Sequence, residues 1–424
     1  MGRRSLPIHA SQRRAPQRLP LAGEARDVDR AARPAYAVWE VTLKCDLACR
    51  HCGSRAGKAR QDELTTDEAL GLVDQMAEMG VEEVTLIGGE VYLRDDWALI
   101  ARRVKERGMI CGIATGGRGF SPAVAEAAAR AGVDGVSVSI DGLEETHDHL
   151  RAKHGSFRSA LAALGNLRDV GLPRATNTQV NRRSMGEIGA VLDTVAPFGI
   201  YGWQVQLTVA MGRAADEPEM LLQPYDMLEI VPMLAGLQAR CVGQGIRFEP
   251  GNNVGYFGPF EGVFRGKMRR GHGEACTAGR STLGIEANGD VKGCPSLTSA
   301  EYVGGNLRDA TLRDIWERAA PLQFTRGRTR EDLWGFCRDC YYADDCLGGC
   351  SWTAHVLFAR RGNNPYCHHR ALELLEVGRR ERLVQVEAPP GEPFDHGRFE
   401  LIEEPWPEGE LSGARERVRA TSPG

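Results

Sequence analysis

Three cysteines in one short segment constrain this chain more than any other feature. Cys45, Cys49 and Cys52 follow a strand-like apolar run, 41–43, with the spacing C-x3-C-x2-C. Three thiolates this close on one loop converge on a single point, and soft thiolate ligands select zinc, copper(I) or iron–sulfur clusters. No fourth ligand follows nearby. The segment therefore predicts either a cluster with one iron open to a small molecule or a structural zinc site that borrows a distant ligand.

A glycine-rich segment downstream favours the cluster. The strand-like run 84–87 is followed by Gly88, Gly89 and Glu90. A cysteine loop after one strand and Gly-Gly-Glu after the next resembles the radical S-adenosylmethionine (SAM) superfamily. The resemblance implies that the three cysteines hold a [4Fe–4S] cluster whose open iron is chelated by SAM. It also implies that Gly-Gly-Glu meets the SAM amino group.

Strand-like and helical segments alternate from Tyr36 onwards. Thr65 and Glu68 form a capping box before a helical period, and Ser121 precedes Pro122 as a second helix start. The predicted strands are 37–43, 84–87, 110–114, 135–140, 175–180 and 203–209. Repeated β-α units predict an α/β fold with a parallel sheet and right-handed crossovers. The resemblance implies that the sheet closes into a partial (β/α)6 barrel, which is followed by a small cysteine-rich domain.

Distinctive polar residues lie at the carboxyl ends of these strands, where parallel α/β folds place their chemistry. By the resemblance, Ser139 contacts SAM, and Thr115 and Asn177 are further candidates for cofactor contacts. Arg151 is a candidate partner for the SAM carboxylate, because its donor fork suits that task. A surface salt bridge explains Arg151 nearly as well, and for Asp141-Gly142 the alternative to a functional role is a turn. No catalytic residue is assigned.

A second set of cysteines lies towards the C-terminus: Cys276, Cys294, Cys337, Cys340, Cys346, Cys350 and Cys367. An isolated C-x2-C fits zinc as well, but the order of all seven resembles the SPASM domain, known from maturases of subtilosin, pyrroloquinoline quinone, sulfatases and mycofactocin. The resemblance implies two auxiliary [4Fe–4S] clusters. Auxiliary cluster I would be held by Cys276, Cys294 and Cys350. Auxiliary cluster II would be held by Cys337, Cys340, Cys346 and Cys367.

Auxiliary cluster I then has three cysteine ligands. Its fourth iron site is open, or is filled by another side chain or by substrate. Two cysteines of the chain's twelve stay unassigned: Cys111, among apolar residues of a strand, and Cys241, near the end of a helix.

Composition narrows the class of protein. The 424 residues carry a net charge of −4, which argues against general nucleic-acid binding. No run of 18 apolar residues is present, so no membrane span is expected. The Arg-rich N-terminus lacks the apolar stretch of an export signal. We therefore expect a cytoplasmic protein, whose clustered cysteines bind metal instead of forming disulfides.

Five segments are predicted along the chain. They are a mobile Arg- and Pro-rich tail (1–35), the radical SAM core (36–214), a bridging segment (215–275), the SPASM domain (276–372) and a C-terminal extension (373–424) to which no fold is assigned.

The resemblance implies an enzyme that reductively cleaves SAM to a 5′-deoxyadenosyl radical. The radical then abstracts hydrogen from a peptide or protein, most consistent with maturation of a ribosomally made peptide. A sulfatase-maturing (formylglycine) enzyme is an alternative, disfavoured because Cys294 is followed by Pro295 where that branch has Asp. A non-catalytic iron–sulfur electron carrier would need neither Gly-Gly-Glu nor an open triad. A zinc-stabilised binding module is a further alternative. Radical modification of RNA is another, and it would favour a basic face that the net charge of −4 does not suggest.

Partners follow from the same resemblance. The substrate is expected to be a peptide or protein. The reducing electron would come from an external donor such as flavodoxin or ferredoxin. A separate protein could supply leader-peptide recognition.

Overall fold

The computed structural model describes residues 32–268, 271–273 and 275–421. Most of the predicted N-terminal tail, residues 1–31, lies outside this range. Within it, an α/β architecture is built around one long mixed sheet, which confirms the predicted fold class.

The central sheet has the strand order β10-β9-β8-β1-β2-β3-β4-β5-β6-β7. The strands from β8 through β1 to β7 are mutually parallel, and β9 and β10 are antiparallel additions. Their bounds are β1 Tyr36–Glu40, β2 Glu83–Ile87, β3 Ile110–Thr115, β4 Gly135–Ser139, β5 Arg174–Val180, β6 Gly202–Leu207, β7 Arg247–Pro250, β8 Thr282–Ile285, β9 Asp290–Lys292 and β10 Gly305–Asn306.

Helices cover one face of this sheet and continue through the cysteine-rich region. In the first half of the chain they are α1 Thr66–Glu78, α2 Trp97–Glu106, α3 Pro122–Ala131, α4 Glu144–Leu150, α5 Ser156–Asp169, α6 Ile188–Val195 and α7 Met227–Gly243. In the second half they are α8 Glu261–Arg265, α9 Ser299–Tyr302, α10 Leu312–Arg318, α11 Ala320–Gln323, α12 Phe336–Asp339, α13 Ala343–Cys346, α14 Ser351–Phe358, α15 His368–Glu376 and α16 Glu410–Thr421.

Local signals explain where the helices begin. The side chain of Thr65 accepts from the Glu68 amide while the Glu68 carboxylate accepts from the Thr65 amide, so the predicted capping box is present. The Ser121 side chain caps α3 by accepting from the Val124 amide, with proline in the first turn of the helix. The apolar faces of these helices pack on β1 to β6 to form the main core.

The first strand is shorter than predicted. It ends at Glu40 and not at Leu43. The Val41 amide still donates to Ile87 O at 2.9 Å, but the Leu43 amide turns to the Glu63 carboxylate at 2.9 Å. The chain therefore leaves the sheet before the first cysteine, and the segment that carries the cysteines is a loop.

The sheet is also longer than the six strands of the prediction. β7 pairs with β6 at one end, and β8, from the cysteine-rich region, pairs with β1 in parallel at the other. The cysteine-rich region therefore shares a hydrogen-bonded sheet with the core.

The C-terminal extension, left without a fold by the sequence, forms an antiparallel hairpin and a helix. Its strands are β11 Arg379–Glu387 and β12 Arg398–Pro405, followed by α16. Buried Arg370 pairs with buried Glu381, with Nε donating to Oε2 at 2.6 Å, which ties β11 to α15. None of the helices in the described part of the chain is long and apolar enough to cross a membrane.

Candidate functional site: the cysteine loop and two C-terminal thiol groups

The loop with Cys45, Cys49 and Cys52 lies at the carboxyl end of β1 and is held by its backbone. The Cys45 amide donates to Gly57 O at 2.9 Å. Arg213, just after β6, donates to Cys49 O at 3.2 Å and to Ala56 O at 2.6 Å. An arginine from the far side of the sheet thus fixes the loop's path.

The three thiols of this loop lie close enough to interact electrostatically. Burial raises the pKa of Cys45 to about 12 and that of Cys49 to about 11. Clustered thiols of this kind become thiolates only when a metal compensates their charge. The donor set therefore fits an iron–sulfur cluster or zinc.

The Gly88-Gly89 pair allows the end of β2 to lie against this loop. The Gly89 amide donates to Thr42 O at 2.8 Å. A Cβ on Gly88 would lie 2.4 Å from Thr42 O, and one on Gly89 would lie 2.2 Å from Lys44 O. Only glycine permits such backbone contact, so both positions have a structural requirement independent of any cofactor.

Glu90 follows this pair and is buried beside the cysteine loop. Its carboxylate accepts from Thr115 Oγ1 and from the Gly116 amide, both at 2.6 Å. One of its oxygens, the Cys45 sulfur and an Asp46 oxygen lie within 4.8 Å of one another. Burial raises the pKa of Glu90 to about 7. The structure therefore brings the predicted residues Glu90 and Thr115 together at the mouth of the loop.

Arg151 is buried beneath the loop, so the surface-salt-bridge alternative is wrong. Its Nη1 donates to Cys49 Sγ at 3.7 Å, and its Nη2 pairs with the buried carboxylate of Asp141. Asp141 also pairs with His51 Nε2 at 3.0 Å and accepts from the backbone N–H of Gln179 at 2.9 Å. Asp141 is therefore more than a turn residue.

His51 and His147 also belong to this network, and neither was predicted from the sequence. His147 Nδ1 accepts from the Asp141 amide at 3.1 Å. His51 lies between Cys49 and Cys52, so its position within the cysteine motif was the signal that could have revealed it.

Amide and hydroxyl side chains line the inner face of β4 to β6. Ser139 lies beside Asn177 in the parallel register, and Asn177 lies beside Gln204. Gln179 and Gln206 are the next such pair. All five alternate with fully buried residues that face the helices, and the buried Oδ1 of Asn177 has no hydrogen-bond partner in the described part of the chain.

The seven C-terminal cysteines form two separate groups. Burial, Cys276 and Cys350 raise the pKa of Cys294 to about 12, and burial and Cys276 raise that of Cys350 to about 11. The second group is Cys337, Cys340, Cys346 and Cys367: burial, followed by the other three thiols, raises the pKa of Cys346 well above its usual value. The two groups contain the same cysteines as the two predicted ligand sets, and their binding of metal stays a prediction.

Two side chains lie between these groups. The Tyr256 hydroxyl accepts from the Cys350 amide at 3.1 Å, and the backbone carbonyl of Tyr256 accepts from the Cys367 sulfur at 3.6 Å. The guanidinium of Arg328 interacts with Cys276 and with Cys346. Neither residue was noted in the sequence, because nothing in its spacing connects it to the cysteines.

Comparison with known proteins gives concordant results. Residues 39–183 match the model of the radical SAM superfamily, and residues 276–341 match that of the SPASM iron–sulfur cluster-binding domain. An AdoMet-dependent heme synthase from Methanosarcina barkeri is 31% identical over 80% of this chain and 97% of its own length. A mycofactocin maturase from Mycobacterium ulcerans is 31% identical over 75% of this chain and 83% of its own.

The fold is similar to that of a solved structure. Streptococcus suis SuiB bound to S-adenosylmethionine superposes with a TM-score of 0.62, covering 79% of this chain and 76% of SuiB, at 17% identity.

Proposed function

The chain belongs to the radical SAM superfamily and carries a SPASM domain, and from this premise we propose that it matures a peptide or protein substrate. It is an enzyme that uses SAM, a [4Fe–4S] cluster and auxiliary clusters. A 31% identical mycofactocin maturase supports the peptide class over a sulfatase-maturing enzyme or an electron carrier.

We assign the SAM-binding cluster to Cys45, Cys49 and Cys52. When bound, the cluster and SAM supply one-electron cleavage that yields a radical able to take a hydrogen atom from an unactivated carbon. The auxiliary clusters are assigned to the two C-terminal thiol groups. Their ligands are Cys276, Cys294 and Cys350 for the first, and Cys337, Cys340, Cys346 and Cys367 for the second.

Residues around the loop are assigned to SAM by their positions. Glu90 offers a buried carboxylate to the cofactor's amino group, and Thr115 orients it. Arg151 holds the Cys49 sulfur, and its buried Nε, which has no hydrogen-bond partner among the described residues, remains able to donate to a carboxylate. The other residues assigned to the cofactor are Gly88, Gly89, Ser139 and Asn177.

The amide-lined inner face is the observation that carries the peptide assignment. Gln179, Gln204 and Gln206 are partly buried on β5 and β6, opposite the helices. Each primary amide both donates and accepts, which matches the alternating N–H and C=O groups of a peptide backbone. Side chains of this kind can position one residue of an extended peptide for hydrogen abstraction.

A second candidate is heme synthesis, favoured by the 31% identity to the M. barkeri enzyme. A heme precursor is a broad apolar ring with carboxylates, which calls for apolar surface and cationic side chains. The amide face offers neither, so we rank this candidate below peptide maturation.

The test uses the reconstituted full-length enzyme with SAM and dithionite. Precursor peptides encoded beside its gene and heme precursors are supplied separately, and 5′-deoxyadenosine and product masses are measured. A mass change in a peptide, with increased 5′-deoxyadenosine, is expected. A mass change only in a heme precursor would overturn the peptide assignment in favour of the second candidate.

A matched pair of variants tests the amide face. Gln206→Leu should raise the KM for the peptide and leave substrate-free SAM cleavage unchanged. Gln244→Leu, at an exposed glutamine just after α7, is the control and should change neither. Equal KM values for the two variants would contradict the role of the inner face.

Two partners remain predictions. Delivery of an electron to the SAM-binding cluster calls for an external donor such as flavodoxin or ferredoxin. Leader-peptide recognition by a separate protein would be seen as a lower peptide KM when that protein is added.

A further inference from the structure

Glu301, His355 and His396 have no role in the proposed function, and their side chains converge near the group formed by Cys276, Cys294 and Cys350. Glu301 Oε1 lies 3.6 Å from His355 Nε2 and 3.7 Å from His396 Nε2. The ligand atoms of all three lie within 4.8 Å of one another. They come from the SPASM region and from the C-terminal extension, so the fold alone brings them together.

The hydrogen bonds of the two imidazoles leave both Nε2 atoms facing Glu301. His396 Nδ1 bonds to Gly397 O at 2.6 Å, and a carbonyl only accepts, so Nδ1 carries the proton. His355 Nδ1 bonds to Tyr302 Oη at 3.0 Å. The side chain of His355 is more than nine-tenths buried, and its Nε2 has no hydrogen-bond partner in the described chain. In metal-binding histidines, the ring nitrogen that does not bind the metal is likewise hydrogen-bonded to a neighbouring polar group.

The spacing fits a metal ion. Two N or O ligands about 2.0–2.1 Å from a tetrahedral zinc ion lie roughly 3.3 Å apart, which is close to the separations here. Two imidazoles and one carboxylate suit zinc and iron(II). Glu301 is 45% exposed, so that one side of the site is open to solvent for entry of an ion.

We propose that Glu301, His355 and His396 bind one divalent cation of the zinc class, separate from the iron–sulfur clusters. The ion joins the SPASM region to the segment between β11 and β12.

That segment contacts the cysteine loop. His396 forms an isolated bridge with Met211, whose side chain lies 3.4 Å from the position of a Cβ on Gly53. The adjacent Asp395 accepts from Arg55 Nε at 2.8 Å. A metal held by His396 therefore fixes a segment that lies directly against the SAM-binding loop, and its removal should loosen that contact.

The test measures metal content in the full-length holoenzyme. Reconstituted protein is incubated with Zn²⁺, passed over a chelating resin, and analysed for zinc and iron. About one zinc per chain is expected, with iron unchanged, and the zinc X-ray absorption should show nitrogen and oxygen neighbours at about 2.0–2.1 Å without sulfur.

Variants then locate the ion. His355→Ala and His396→Ala should each lose the zinc while keeping the wild-type iron content and circular dichroism. His154→Ala, at an exposed histidine 3.5 Å from Asp148, is the control and should keep the zinc. Glu301→Gln should weaken retention without altering the fold.

A second readout follows the segment itself. Zinc should slow hydrogen exchange across residues 388–397 in wild type and in His154→Ala, and not in His396→Ala. Absence of retained zinc in wild type, zinc with sulfur neighbours at about 2.3 Å, or equal retention in His396→Ala would each overturn the proposal.

Discussion

The cysteine loop and the C-terminal thiol groups contain the same ligand type but are built in opposite ways. The loop's three cysteines lie within residues 45–52, shortly after β1, and the loop's backbone is hydrogen-bonded to neighbouring segments. The C-terminal cysteines are spread from Cys276 to Cys367 and are carried by short helices and turns. The loop is shaped by the core around it, whereas under the proposed ligand assignment the C-terminal groups would need their metal to hold distant segments together.

The largest effect should come from removing the loop's thiols. Replacing Cys45, Cys49 and Cys52 together by Ala should abolish 5′-deoxyadenosine formation and lower iron by about four per chain, the content of one [4Fe–4S] cluster. The fold should persist, because the core supports the loop without metal. Iron analysis, the SAM cleavage assay and circular dichroism check this. Cleavage at the wild-type rate would contradict the ligand assignment.

Removing one C-terminal ligand should instead unfold its surroundings. The helices α12 and α13 have four residues each and are too short to be stable alone. We expect Cys346→Ala to lose about four irons and to speed hydrogen exchange across residues 330–367, while SAM binding persists. Cys241→Ala, a buried cysteine outside both groups, should keep all iron. Unchanged exchange would show that the region folds without its metal.

The ion pair beneath the loop should rank third. Breaking a buried pair costs about 3–5 kcal/mol, so Asp141→Asn should lower the free energy of unfolding by that order and disturb Cys49 through Arg151. Asp193→Asn, in an exposed pair with Arg240, is the control. Urea denaturation at pH 7 measures both. Equal midpoints would show that the pair contributes nothing net.

The same variant has a pH signature. Although burial opposes ionisation, Arg151 and His51 hold the pKa of Asp141 well below its usual value. A lowered pKa in the folded state contributes stability above the unfolded-state pKa of about 4, and this contribution is lost as pH falls further. The stability difference between wild type and Asp141→Asn should therefore shrink in acid.

Glu90 should have a smaller and more specific effect. Charge-assisted hydrogen bonds contribute about 1.5–3 kcal/mol, so Glu90→Ala should weaken SAM binding by roughly 10–100-fold. Iron content should not change, because the thiols remain. Equilibrium binding of SAM to the reconstituted enzyme checks this, and wild-type affinity would remove Glu90 from the cofactor site.

The smallest effect should lie at the surface contact between the SPASM region and the radical SAM core. Arg308 Nε donates to Glu68 Oε1 at 2.6 Å, across from β10 to the start of α1. Exposed pairs contribute about 0–1 kcal/mol. Arg308→Ala should therefore change the unfolding midpoint only slightly, and less so at high salt. A large change would mean that the two regions are coupled mainly through this contact and not through β1 and β8.

By itself, the sequence determined the cysteine motifs, the alternating elements and the strand ends that carry Glu90, Thr115 and Ser139, because these depend on short-range spacing and periodicity. Only the tertiary structure decided which distant segments meet. These contacts are β8 beside β1, Arg151 beneath Cys49, the C-terminal hairpin, and His396 beside His355. These pairings join residues far apart in sequence, and no local pattern encodes which buried polar groups will meet once the core has closed.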